Sequence, residues 1–255
     1  MTEKIIGLTE WFATPPGRYL LAWEQDRFDL AVADVFGFHA LQLGVPELDA
    51  LRANRMPQRW LALPEGDAPT IDGARVALVT DAAALPFPEA SLDLVVLPHT
   101  LELSADPHQV LREVERVLVP EGRVVLTGFN PASLWGMRQA RARAMQRLGR
   151  GTRPYLPDAG EFIGPGRLRD WLRLLSFEVE AQHCGCYRPA VRTDKWLHRL
   201  RWMDRAGARW WPIFGAVHVT TAVKRVRGMR LLGPAWKPRR LPATAPVPLA
   251  NRQRR

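Results

Sequence analysis

Four places along the chain join a short apolar run to a residue that can meet a ligand: Gly44, Glu65, Asp81 and the pair Pro98-His99. Glu65 and Asp81 offer carboxylates, which accept hydrogen bonds from amine and hydroxyl donors. Asp81 equally suits capping of the turn that follows a strand. Gly44 permits a tight turn whatever else it does. His99 has the side chain best matched to general-base work near neutral pH, yet at the end of an apolar run it reads more simply as a satisfied structural histidine. His39 reads as structural too. Cys184 and Cys186 are separated by one glycine, too close for a relaxed disulfide and without further ligands for zinc; no metal site is expected. Trp196, Trp202, Trp210 and Trp211 fall at roughly helical spacing and read as core or interface. The arginines at 138, 141, 143, 147, 150 and 153 read as a solvated face.

These residues need elements to hold them. The patterning predicts strands at 38–43, 59–63, 74–79, 92–97, 123–127, 177–181 and 216–223. Between them it predicts helices over 18–35, 45–54, 107–118 and 167–175. The first has Thr14 as N-cap and Pro15-Pro16 at its start, with a loose apolar face at Tyr19, Leu20, Trp23, Leu30 and Val35. It either packs on the core or covers a pocket. The helix from Pro107 is the clearest: Asp106 is its N-cap, Gln109 completes a capping-box spacing, and Val110, Leu111, Val114, Val117 and Leu118 share one face. Alternation of strands and helices predicts an α/β fold, a mostly parallel sheet covered by helices on both faces. In such a sheet ligands bind beyond the carboxyl ends of the strands, where the four sites above fall.

The chain has 255 residues, 47 % hydrophobic and 24 % charged, enough for one sizeable α/β domain with appendages. Its net charge is +10. Ten cations and no acid lie between Thr221 and Arg255, so residues 1–220 are formally neutral. The division expected is a helical segment over 1–36, a main domain over 37–227, and a basic Pro/Arg-rich tail, largely irregular, over 228–255. Cations of that density attract phosphate, leaving nucleic acid or an anionic surface open as partners, alongside a purely solubilising role. No run reaches the roughly 18 apolar residues of a membrane span, and Met1 to Trp11 does not read as a signal peptide. A cytoplasmic location is the expectation.

From Asp81 the chain reads D-A-A-A-L-P-F-P-E-A-S-L-D-L-V-V-L-P-H-T-L-E, then from Asp106 D-P-H-Q-V-L-R-E-V-E-R-V-L-V-P-E-G-R-V-V-L-T-G. Several linked motifs in this order closely resemble the central region of class I S-adenosylmethionine-dependent methyltransferases, type 11-like. Gly128-Phe129-Asn130-Pro131 and Ser133 are similar to an uncharacterised bacterial subgroup. The resemblance implies a Rossmann-like fold, S-adenosyl-L-methionine as cofactor and transfer of its methyl group to an acceptor, a small molecule by this likeness. It implies that Asp81 accepts from the adenine amino group and that the Ala82 amide meets the ring nitrogen. It sets Pro98 and His99 against the methionine part, Gly44 at the nucleotide loop, and Glu65 or Asp67 at the ribose hydroxyls. It names no catalytic base.

The first loop departs from the family pattern. Where an acid and G-x-G-x-G are usual, the chain has Gln42-Leu43-Gly44-Val45-Pro46-Glu47-Leu48, with one glycine and a proline that lacks an amide donor. The alternative is therefore a catalytically inactive methyltransferase-like binding protein, associating with nucleic acid or anionic surfaces through its tail.

Overall fold

The computed structural model describes residues 7–64, 76–149, 154–157 and 160–225. Glu65, Asp67 and the tail over 228–255 lie outside the described residues. Seven strands form one sheet: β1 His39–Leu43, β2 Gln58–Leu63, β3 Val76–Val79, β4 Leu92–Pro98, β5 Leu118–Phe129, β6 Phe177–Gly185 and β7 Val217–Lys224. Their order is β3-β2-β1-β4-β5-β7-β6. Only β7 runs against its neighbours, pairing antiparallel with both β5 and β6. This is the Rossmann-like arrangement expected. The chain moves outward from β1 to β3, then crosses back to β4, so strand order reverses between β1 and β4. A crevice opens at that point.

The sheet is apolar on both faces, as a covered parallel sheet must be. In β4, Leu94 and Val96 face one core while Val95 and Leu97 face the other. Each such fully buried side chain contributes roughly 1.5–3 kcal/mol relative to exposure. The first core is closed by α1 Leu8–Phe12 and α2 Pro15–Val32. The second is closed by α4 Pro107–Val117 and α6 Pro165–Leu174. Between them in the chain come α3 Thr100–Leu103 and α5 Leu134–Arg147. Beyond β6 stand α7 Asp194–Arg199 and α8 Trp202–Trp210.

Helix α2 starts as its sequence predicts, with Thr14 Oγ1 accepting from the Gly17 amide at 3.3 Å. Its buried stripe differs from the expected one. Leu20, Glu24, Phe28 and Val32 face inward, whereas Leu30 is exposed. Gly17 is needed because a Cβ there would lie 2.2 Å from the Trp11 carbonyl oxygen, where α1 folds back on α2. Asp106 caps α4 by accepting from the His108 and Gln109 amides, both at 3.0 Å. The capping box does not close, since the Gln109 carbonyl accepts from Arg112.

The helix expected over 45–54 is absent. Those residues form a chain of turns between β1 and β2. Pro46 and the side chain of Gln42, described below, account for it. The arginine-rich stretch becomes α5, capped by Ser133, whose hydroxyl accepts from the Gly136 amide at 3.0 Å. Arg138 and Arg143 lie over the rings of Tyr155 and Phe162. No helix among the described residues is long and apolar enough to cross a membrane.

Candidate functional site

At the carboxyl ends of β1 to β4 lies a cavity of about 490 Å³, within the size range of small-molecule sites. Its walls come from the end of β2, with Ala62, Leu63 and Pro64, from three further segments and from a roof. The loop after β1 contributes Gly44, Val45 and Glu47; the loop after β3 contributes Asp81 and Ala82; α3 and its exit contribute Thr100 and Leu103; Leu8, Thr9 and Glu10 of α1 complete the lining. Three carboxylates, Glu10, Glu47 and Asp81, and no cation stand among the described lining residues. Such a wall favours a cationic ligand.

The Asp81 wall is built by a local turn. Asp81 Oδ1 accepts from the Ala83 amide at 2.9 Å, and the Ala84 amide bonds the Asp81 carbonyl. Asp81 is exposed, and neither its Oδ2 nor the Ala82 N–H has a hydrogen-bond partner among the described residues. An acceptor and a donor thus stand side by side on the cavity wall.

The β1 loop is held differently. Gly44 has φ +78°, a conformation glycine adopts without strain, and its amide donates to the Ala62 carbonyl at 2.8 Å. The buried Gln42 amide group donates to the carbonyls of Gly44, Val45 and Leu48 at 3.2, 3.0 and 2.7 Å. Its oxygen accepts from the Ala50 amide at 3.0 Å. Thr100 Oγ1 donates to the Leu43 carbonyl at 2.7 Å, tying the ends of β1 and β4 together. The backbone of this loop is therefore largely consumed by the protein itself.

Pro98 and His99 do not line the cavity. His99 sits beneath it, 1 % exposed, in the left-handed region with φ 51°. Its Nδ1 lies 2.9 Å from Glu102 Oε2, and its Nε2 lies 2.9 Å from Glu24 Oε1, close enough for an ion pair though poorly aligned as a hydrogen bond. The remaining Glu102 oxygen accepts from the Phe129 amide at 2.6 Å. Burial alone would lower the imidazolium's pKa; the charge of Glu24 and the hydrogen bond that His99 donates to Glu102 overcome it and hold His99 up to about 10. Burial pushes the Glu102 carboxyl up. His218, whose Nε2 lies 2.9 Å from the Ile163 carbonyl oxygen, is pushed down to about 4, chiefly by burial. His99 is thus a cation locked between two acids, with neither the freedom nor the exposure of a base.

The other candidates fall elsewhere. His39 stacks on Trp60 with ring centroids 5.4 Å apart. Cys184 and Cys186 are free thiols, both raised by burial. No group of metal-ligating side chains gathers among the described residues. Sequence reasoning missed the roof residues and Glu47, which carry no pattern. It also missed Glu24, for which a signal existed: Leu20, Glu24 and Phe28 are spaced by four, placing a carboxylate on the buried stripe.

Comparison with known proteins bears on the central segment and the fold. Residues 65–126 match the family model described as a methyltransferase domain. The match begins after β2, so the β1 loop lies outside it. An uncharacterised protein of Escherichia coli K12, YafS, is 35 % identical over 57 % of this chain and 55 % of its own length. The malonyl-[acyl-carrier protein] O-methyltransferase of Halorhodospira halophila is 34 % identical over 40 % of this chain and 30 % of its own. The chain thus spans little more than half, or less, of these relatives. Among solved structures, a chain of the Haloferax volcanii complex between the Trm112 methyltransferase activator and a methyltransferase superposes with a TM-score of 0.57 at 16 % identity, covering 88 % of this chain and 99 % of that one. That likeness concerns the fold alone. The strand order and the central segment are thus in accord: residues 65–126 match a methyltransferase domain, and the sheet has the Rossmann-like fold of class I methyltransferases, a family whose cofactor is S-adenosylmethionine.

Proposed function

We propose that this protein binds S-adenosylmethionine in the β1–β4 cavity and transfers its methyl group to a small-molecule acceptor. The observation that carries the reading is the wall at residues 81–82, where a carboxylate acceptor adjoins an N–H donor free of other described groups. That pair complements the edge of adenine, which offers an amino donor beside a ring-nitrogen acceptor. The acidic lining supports it further, because the cofactor carries a sulfonium and an ammonium charge. When bound, the cofactor supplies an activated methyl group. The chain's share of the work is to hold donor and acceptor aligned and to exclude water. Helix α1 serves the second task by roofing the cavity. Glu47 stands on the wall beside Gly44, where it can receive the hydroxyl or ammonium donors left over by Asp81; Glu65 follows β2 and is the other candidate for the ribose.

The alternative, a binding protein without catalysis, draws on one observation. The Gly44 amide and the Gly44 and Val45 carbonyls are already paired within the protein, so this loop offers less backbone to a cofactor than a glycine-rich one. Calorimetric titration with S-adenosylmethionine separates the readings. Micromolar binding by the wild type, weakened about tenfold or more in Asp81→Ala by loss of a charge-assisted hydrogen bond, is the expected result. No binding by the folded wild type overturns the proposal and leaves the non-catalytic reading.

A further inference from the structure

Trp210, Trp211, Pro212, Ile213 and Phe214 are five consecutive exposed residues without a charge. Trp210 is 75 % and Ile213 64 % exposed, and Trp196 and Trp202 on α7 and α8 are each more than half exposed, at 51 % and 59 %. Single apolar residues are normal on a soluble surface, whereas a cluster of this size marks an interaction site. The sequence reading allowed these tryptophans to be core or interface; the structure keeps them out of the core.

The run is no loose excursion. Tyr187 Oη donates to the Pro212 carbonyl at 2.8 Å. Asn130 Nδ2 donates to the carbonyls of Ile213 at 2.7 Å and Gly215 at 3.0 Å. Both anchoring residues are buried. With its backbone satisfied from beneath, the loop projects its side chains outward on a fixed base.

Cations outnumber acids in the segment. Lys195, Arg199, Arg201, Arg205 and Arg209 are all exposed. The two acids of the segment are engaged: Asp194 pairs with Arg18 at 3.2 Å, and Asp204 pairs with Arg188 at 2.9 Å and accepts from Tyr19. Aromatic residues flanking an aliphatic tip, in a segment that carries five exposed arginine and lysine residues, match the interface of an anionic bilayer, where rings lie at headgroup depth and cations meet phosphates. A single-stranded nucleic acid is fitted less well, since it asks for flat rings in succession along a groove. Here the tip is interrupted by Pro212 and carries the branched Ile213.

We infer that residues 194–214 form a docking surface for an anionic lipid membrane, with Trp210 to Phe214 entering the headgroup region and the five cations meeting lipid phosphates. The loop leads directly into β7, whose first residue, Val217, pairs with Phe129 at the carboxyl end of β5. The docking surface therefore lies at the same end of the sheet as the cavity. Docking itself does not depend on methyl transfer.

The test uses the full chain and sedimentation with vesicles of phosphatidylglycerol and phosphatidylcholine in equal parts, or of phosphatidylcholine alone. The wild type should partition into the anionic vesicles about tenfold or more over the neutral ones. Ile213→Glu with Phe214→Glu should lower that binding by about tenfold or more, and Arg205→Glu with Arg209→Glu should erase most of the preference for anionic lipid. Wild-type binding by the Ile213/Phe214 variant overturns the inference and assigns attraction to the basic tail. As a check that needs no charged substitution, vesicles with bromine-labelled acyl chains should quench wild-type tryptophan fluorescence, and Trp210→Phe with Trp211→Phe should remove most of the quenching. Absence of quenching in the wild type overturns insertion. So does a self-association, or an RNA binding, that the Ile213/Phe214 variant abolishes while vesicles are ignored throughout.

Discussion

A carboxylate at position 42 would face the carbonyl oxygens of Gly44, Val45 and Leu48 at the distances where the Gln42 amide now donates. It could keep the Ala50 contact but would repel the other three. Gln42→Glu should therefore lower stability by about 3 kcal/mol, measured as a shifted midpoint in urea unfolding; a change below about 0.5 kcal/mol would show that the loop is not pinned by this residue. The position stands out in the sequence only as a departure from a family pattern. Its replacement function, a side chain doing the work of a helix, depends on partners within eight residues whose carbonyls turn inward, and composition carries no trace of that. The turn at Asp81 was legible for the opposite reason: a carboxylate that caps it needs only a strand end and a short turn, both of which the local sequence states.

The elements themselves were mostly legible where one periodicity ran long enough. Helix α4 and strand β4 occupy nearly the ranges their patterns predict. The misreading over 45–54 arose because its apolar residues sit at helical spacing, while Pro46 and the Gln42 contacts bend the backbone into turns. Helix α1 went unread since five residues give no period. Yet it holds firmly: Trp11 Nε1 donates to the Tyr155 carbonyl at 2.9 Å, and its ring packs edge-on against Phe129 and Trp135. Trp11→Ala should cost about 3–5 kcal/mol. Denaturant unfolding would check it, and a loss below about 1 kcal/mol would mean that α1 is only loosely docked.

At the scale of the molecule, the buried histidines make stability depend on pH in two directions. His99 has a folded pKa raised to about 10. Its contribution is complete below about pH 6.5, the unfolded value, and is lost as pH rises through 10. His218, depressed to about 4, contributes fully above about pH 6.5 and loses that contribution as pH falls through 4. A stability maximum between these limits is expected. His99→Gln should lower it by about 3–5 kcal/mol, leaving two buried carboxyls without a counter-charge, and should flatten the alkaline slope. Unfolding midpoints between pH 5 and pH 10 test both; an unchanged alkaline slope in the variant would place the titration elsewhere. The overall class was legible from alternation alone, whereas the surface at 210–214 was not, because whether a tryptophan lies in or out is decided by what packs beneath it.

The ion trio also divides the N-terminal arm mechanically. Glu24 rides on α2 and its charge is matched by His99, which follows β4 and starts α3, so lifting α2 would strand charge in an apolar interior. Helix α1 is held on the apolar core by Trp11 and Phe12, together with the indole hydrogen bond to Tyr155. Ala13 and Thr14 join the two helices, so the segment held by packing and the segment held by charge meet within two residues.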